Sequence, residues 1–475
     1  MSPENTKIAI IGGGVAGSTA ALWLGQLGYT VTLFEKNASL VSGPPFCHLH
    51  AGGNLYREIS DAQCITLLEQ SIDFLRFYPY VVDYRPTVIA LPLTDKSTPN
   101  ALLPRLELLK KEYERLIAED PGNKVLGESE NYYRLYSKEE LLSLRTKPLP
   151  KAPKSFDEWM VPVAKHIDLE KVQFPLIMVQ EYGLNLFRLA AGVTMGIETL
   201  KSITLRTETE VREITKDTPQ RWLIRYENRE GQEEEAFDYL VNAAGFRTGE
   251  IDDILHIPSR RMVEFKAAYV THWEDPDETL FPEIIFHGER GTPQGMGQFT
   301  PYPGGYFQLH GMTNKITLYD DGLVSNPPQS AQPKLNTHFM EKLEKAWRPK
   351  ESEERTTRAI EHLSRFIPSF STAKPTPKPL FGAQQIPGED PTLRVAEVSF
   401  PILHYARCEI VKVSSVLDMV RAILADLQGT QADMKKVYAY LGTLKEEQIA
   451  TYAKKLCKER HYPTSLGERN ISAPY

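Results

Sequence analysis

Cysteine is scarce in this chain. The four cysteines, Cys47, Cys64, Cys408 and Cys457, are spread over 475 residues. None forms a C-x-x-C pair, so no redox dithiol motif is present, and no spacing suits a metal. They fit free thiols in a reducing compartment. No apolar run reaches the ~20 residues that a membrane-spanning helix needs. Neither sign of charge dominates: 55 Lys and Arg stand against 62 Asp and Glu, a formal net charge of −7. A basic face for nucleic acid is therefore not expected. Met1-Ser2-Pro3-Glu4-Asn5 lacks the basic n-region of a secretory leader. A cytoplasmic location is expected, with peripheral membrane contact left open. There is no repeat and no low-complexity block. A 41% hydrophobic content over this length provides core for two or more domains.

What is present is concentrated near the start. Lys7-Ile8-Ala9-Ile10-Ile11 reads as a buried strand, Gly12-Gly13-Gly14-Val15-Ala16-Gly17 as a tight turn opening a helix, and Thr30-Val31-Thr32-Leu33-Phe34 as a second strand ending in Glu35. A dinucleotide needs this order. Gly12 permits a sharp turn out of the strand, Gly14 lets a pyrophosphate approach bare backbone, and Gly17 lets the helix lie close to the sheet. The helix N-terminus offers free N–H groups and a positive dipole end to the phosphates. Glu35, roughly 20 residues on, is placed to bind the ribose hydroxyls, and an acid there disfavours a 2′-phosphate. Ala16 and Lys36 flank these contacts. The motif by itself does not separate FAD from NAD.

Further along, Ser60 and Gln63 have capping-box spacing ahead of a helix, as do Ser137 and Glu140. Leu102, Leu106, Leu109, Tyr113 and Leu116 make an apolar helical stripe. Phe237 to Val241 is a near-continuous apolar run into the small residues Asn242-Ala243-Ala244-Gly245, as expected of a buried parallel strand. Between Arg261 and Leu318 the pattern changes to alternation. Pro303-Gly304-Gly305 separates Phe299–Tyr302 from Tyr306–His310, a hairpin signal. Helices are expected near 335–347, 356–366 and 414–427.

On these residues the chain resembles the FAD-dependent oxidoreductases of the D-amino-acid oxidase superfamily, which includes glycine oxidase, L-2-hydroxyglutarate oxidase and glycerol-3-phosphate dehydrogenase. The motifs that carry the resemblance are the first strand–turn–helix, the Val211 strand, Asp238 to Gly245, and His50-Ala51-Gly52-Gly53-Asn54. The resemblance implies FAD as cofactor. It implies flavin contacts from His50, Ala51 and Gly52, an adenine contact from the Val211 backbone, and small residues Ala244 and Gly245 beside the adenosine or pyrophosphate. The 299–311 hairpin resembles the sheet that covers the reactive face of the flavin. The chain departs from the family after Leu380-Phe381-Gly382. Ala383-Gln384-Gln385 stand where amino-acid oxidases often carry a carboxylate-clamping arginine. Before the last helix, Tyr405 to Ser415 lacks the usual glycines.

The fold expected is α/β. A discontinuous Rossmann-type FAD-binding domain (1–90, 163–258, 375–427) accompanies a mixed or antiparallel β-sheet substrate domain (259–374), a helical insertion (91–162) and a C-terminal helical tail (428–475). The function expected is hydride abstraction from a C–N or C–O bond of a small organic substrate, with electrons passed to oxygen, a quinone or a carrier. No Gly-Asp pair, no second glycine fingerprint and no cysteine pair occurs, which disfavours a ring hydroxylase, a nicotinamide-linked flavoenzyme and a disulfide reductase. Alternation puts Tyr306, Gln308 and His310 on one strand face. His310, with Tyr306, is the candidate catalytic group, a neutral histidine able to take a proton. The same alternation fits half-buried residues on a solvent face. Arg260 or Arg261 is a further candidate for binding an anionic substrate. The alternative function is a flavin-binding scaffold or modifying protein, held to a protein partner through residues 91–162 or the tail.

Overall fold

The computed structural model describes residues 1, 3–43, 59–274, 278–391, 393, 397–427 and 434–474. The first strand, β1 (Lys7–Ile11), leads through the glycine turn into helix α1 (Val15–Gln26) and then β2 (Thr30–Phe34). Both strands are exposed only at their first residue, the pattern of parallel strands covered on both faces. Among the described residues they belong to a six-stranded sheet in the order Glu397–Ser399, Tyr405–Glu409, Tyr239–Asn242, β1, β2, Ile203–Arg206. All neighbours run parallel except the edge strand Glu397–Ser399. The chain leaves β1 toward β2 on one side and returns to Tyr239–Asn242 on the other. That reversal places a ligand crevice at the carboxyl end of β1. α1 is buried from Gly17 to Gly25. It lies against helices Leu186–Glu198 and Val416–Asp426.

A second, larger sheet has ten strands among the described residues. Its order is Leu323–Ser325, Arg261–His272, Tyr306–Gly311, Gly297–Tyr302, Glu283–Phe286, Thr87–Ala90, Leu176–Val179 and Tyr133–Tyr136. Leu380–Pro387 and Lys374–Pro375 also pair with Arg261–His272. The sheet is mixed: Glu283–Phe286 runs parallel to Thr87–Ala90, and the other pairings are antiparallel. Alternation gives it two different faces. Ala267, Tyr269, Phe299, Phe307 and Leu309 pack outward under helices Phe156–His166 and Pro349–Ser364. Ala268, Val270, Tyr302 and Leu380 face the other way, into the same core as Ile10, Leu33 and Leu40 of the first sheet. The inner face of the large sheet therefore looks onto the dinucleotide-binding unit.

Several local readings hold. Ser60–Gln63 and Ser137–Glu140 form reciprocal capping boxes, and Pro303–Gly305 turns the hairpin, with Gly304 at φ 72°. Ser415 is the N-cap of Val416–Asp426, but its hydroxyl donates to the Lys412 carbonyl rather than accepting from the helix. The expected domain boundaries need correction. Thr87–Ala90, Leu176–Val179 and Leu380–Pro387, all assigned to the FAD-binding segments, are strands of the large sheet. Residues 91–162 carry the helices Leu103–Glu119 and Lys138–Arg145, and also the edge strand Tyr133–Tyr136 of that sheet. Short apolar runs covered on both faces have the same periodicity in either sheet, so only the pairing assigns them. The tail forms helices Met434–Leu441 and Glu446–Glu459, whose apolar residues Val437, Leu441, Ile449, Ala453 and Leu456 join the main core. Arg460 then donates to the carbonyls of Leu40 and Val41, tying down the segment after β2. No helix among the described residues is long and apolar enough to cross a membrane.

Candidate active site

The glycine turn can be read atom by atom. Gly12 has φ +103°, and a Cβ there would sit 2.4 Å from the Ala243 carbonyl oxygen. A Cβ on Gly17 would sit 1.9 Å from the Gly12 carbonyl oxygen. These two glycines are required by the protein itself. Gly14 differs: its φ is −67°, and a Cβ on it would meet nothing within 4 Å among the described residues. The chain leaves that space open at the N-cap of α1, where no side chain caps the helix and no acid occupies its first turn. Uncapped N–H groups, a dipole end and open room are the donor set of a diphosphate site.

Glu35 is buried, and its carboxylate already organises the turn. One oxygen accepts from the Gly13 amide at 2.7 Å, and the other accepts from the Asn37 amide at 2.7 Å and the Asn37 side chain at 2.6 Å. Burial pushes its pKa up, opposed by these hydrogen bonds. A carboxylate has about four acceptor positions, so capacity for sugar hydroxyls remains. Lys36 is exposed beside it, and Ala16 is half-buried in the first turn of α1. Val211 packs against the cluster of Ile11 and Phe34, next to the ends of β1 and β2. Thr209 donates its amide to the Glu35 carbonyl, which locks that strand beside the acid. Ala244 and Gly245 follow Tyr239–Asn242 at the Gly12 turn; Gly245 has φ +61° and open space where a Cβ would lie. These positions fit a dinucleotide laid along the ends of β1, β2 and Tyr239–Asn242. His50, Ala51 and Gly52 lie outside the described residues.

Across from this cradle, the inner face of the large sheet carries a strip of buried polar side chains. Cross-strand register sets Thr300 opposite Gln308, Gln298 opposite His310, and Tyr302 opposite Tyr306. Glu283, Gln298, Thr300, Gln308 and His310 are all buried. Gln298 donates to Glu283 at 2.6 Å and to Thr300 at 3.1 Å. Tyr302 O–H donates to Gln308 Oε1 at 3.1 Å, and Gln308 Nε2 lies 3.1 Å from His310 Nε2. His310 Nδ1 has no hydrogen-bond partner among the described residues. Gln308 and His310 are thus brought together as the alternation implied. Tyr306 is not part of the hydrogen-bonded chain; its ring lies against His272 with centroids 4.7 Å apart.

Sequence reasoning missed three contributions. Lys266, on the same strip, lies between Gln384 Oε1 at 2.8 Å and Glu264 at 2.9 Å, and Arg290 also pairs with Glu264. Gln384, standing where an arginine clamp was sought, donates to the Val411 carbonyl and so ties the large sheet to the segment before the last Rossmann helix. Arg261 is neither a surface residue nor a free anion binder. It is buried against Asp252 and Glu409. Arg407 pairs with the same two acids, and the Tyr405 hydroxyl donates to Asp252 at 2.7 Å. This joint links the two sheets. Arg260 is exposed. A lone arginine in sequence carries no signal for such pairing; only the apolar neighbours of Arg261 hinted at burial.

The family of FAD-dependent oxidoreductases named DAO has a model that matches residues 7–393. The chain belongs to this family: it is an FAD-dependent oxidoreductase. Its fold is similar to that of glycine oxidase from Geobacillus kaustophilus, at 12% identity, with a TM-score of 0.53 over 90% of this chain and 96% of that one. Glycerol-3-phosphate dehydrogenase from Bacillus halodurans, solved with FAD, is similar over 98% of this chain and 74% of that one, at 14% identity and a TM-score of 0.57. L-proline dehydrogenase from P. horikoshii matches over 92% and 98%, at 15% identity and a TM-score of 0.54. At such identities the likeness is one of fold. A comparison with curated protein sequences found no match.

Proposed function

We propose that this oxidoreductase oxidises a C–N or C–O bond of a small amine, amino acid or hydroxy acid held between the cofactor and the polar strip of the large sheet. The observation that carries this reading is a buried row of hydrogen-bonding groups on the inner sheet face, ending in a nitrogen of His310 that has no partner among the described residues. Bound FAD supplies a two-electron acceptor, and the protein supplies position and electrostatics. The Gly12–Gly17 turn, Glu35, Val211, Ala244 and Gly245 would hold the dinucleotide. Gln308 and His310 would orient the substrate, with Tyr302 behind them fixing the amide. Burial of the strip excludes water from the reacting bond. Oxygen, a quinone or a carrier would take the electrons onward. A cytoplasmic setting belongs to this reading and rests on scarce cysteine and mixed charge.

The alternative of a scaffold acting through a protein partner has less to support it. The apolar stripe of the insertion (Leu106, Leu109, Tyr113, Leu116) and that of the tail are both buried in the chain's own core. Anaerobic titration of the flavin-loaded protein with a panel of amines, amino acids and hydroxy acids tests the reading. Bleaching of the visible flavin band by one of these supports it. Bleaching only when a second protein is added overturns it.

A further inference from the structure

We infer that Gln308 is a positioning residue that sets the tautomer of His310, so that the imidazole offers an Nδ1–H donor to an acceptor atom of the ligand instead of removing a proton from it. The inference rests on the proposed function, in which this strip faces the substrate. Its ground is a chain of three side chains. The Tyr302 hydroxyl donates to Gln308 Oε1, and in that orientation the amide nitrogen faces His310. The other end, Gln308 Nε2, carries two N–H donors and no lone pair to share. It lies 3.1 Å from His310 Nε2. That ring nitrogen therefore accepts, and the ring proton sits on Nδ1. His310 is 8% exposed, and Nδ1 meets no acceptor among the described residues. A buried N–H without a partner is costly, and an oxygen acceptor on a ligand relieves it. A carboxylate or an alcohol oxygen has that chemistry; an ammonium group does not. The expected general-base role for His310 is replaced by recognition of an acceptor.

Gln308→Glu reverses the logic. A carboxylate facing Nε2 draws the ring proton to that side and turns the Nδ1 lone pair toward the ligand. Histidine 15N NMR of the flavin-loaded protein reads this directly, with the His310 signal assigned by its loss in His310→Gln. The expected result is protonation at Nδ1 in the wild type and at Nε2 in Gln308→Glu. A wild-type ring protonated at Nε2 overturns the inference. A second measurement uses acetate and ethylamine as probes, followed by perturbation of the flavin spectrum. Acetate affinity is expected to fall at least tenfold in Gln308→Glu and in His310→Ala, at unchanged flavin content. The ethylamine response should be no weaker in Gln308→Glu than in the wild type. Absence of an acetate effect in the wild type, or one that His310→Ala leaves intact, overturns the assignment of an acceptor ligand. If the tautomer and acetate results hold while no small donor bleaches the flavin, only the broader functional reading fails.

Discussion

At the carboxyl end of β1 the site is lined by backbone; across from it, on the inner face of the large sheet, it is lined by side chains. The glycine turn holds its shape through one stretch of six residues, and two of its glycines cannot change without a clash against a carbonyl. The polar strip draws Glu283, Gln298, Thr300, Tyr302, Gln308 and His310 from three strands, held in two hydrogen-bonded groups, Glu283–Gln298–Thr300 and Tyr302–Gln308–His310. A backbone site tolerates little sequence variation but works for any member that binds the same diphosphate. A side-chain site is re-specified by single substitutions, so under the proposed function the substrate would be decided there. This is the ordinary division between a cofactor cradle and a recognition surface.

The sharpest way to separate the two is inside the glycine turn itself. Gly14→Glu adds a side chain where the protein leaves open space, so the chain should fold with an unchanged melting temperature when flavin-free. Its anionic side chain would meet the diphosphate, and the flavin-to-protein ratio should fall below about a tenth of wild type. A normal ratio would break the assignment of the cradle. The joint between the sheets comes next. Arg261→Met leaves Asp252 and Glu409 buried with one cation between them, and should cost about 3–5 kcal/mol in urea unfolding. Adding Glu409→Gln should recover part of that loss, and strict additivity of the two would show that they are uncoupled.

A smaller effect lies on the outer face of the large sheet. His362 lies beside the Gly295 carbonyl at 2.9 Å and next to the Arg365 guanidinium. Burial, and then the charge of Arg365, push its pKa down from 6.5 to about 4. The unfolded chain therefore binds the proton more tightly between those values. The stability it contributes is present above pH 6.5 and is lost as pH falls toward 4. The full loss is on the order of 3 kcal/mol. Urea midpoints at about pH 7 and about pH 4.5 should differ less in His362→Gln than in wild type. An equal difference would assign the acid sensitivity elsewhere.

Local chemistry was legible where a short stretch of chain imposes it. The Gly12–Gly17 turn, the Ser60 and Ser137 capping boxes and the Pro303–Gly305 turn depend on residues within a few positions of each other, and each appears as written. Tyr306 and Gln308 were placed on one face by alternation, but alternation is silent on which of them would find His310 and which would stack on His272. Thr87–Ala90, Leu176–Val179 and Leu380–Pro387 have strand composition that suits either sheet equally. Arg261 gave no sign of Asp252 and Glu409, because ion pairs between distant strands leave no spacing in the sequence.

The amino-acid sequence alone determined the dinucleotide turn and its acid, and through them that the cofactor is a dinucleotide, since glycine geometry and a helix end act within a few residues. The tertiary structure decided which strands build the inner face of the large sheet, which arginine is a strut, and which neighbours the His310 ring meets. Those outcomes depend on strand register and on neighbours far away along the chain, and a linear pattern does not encode distances between them.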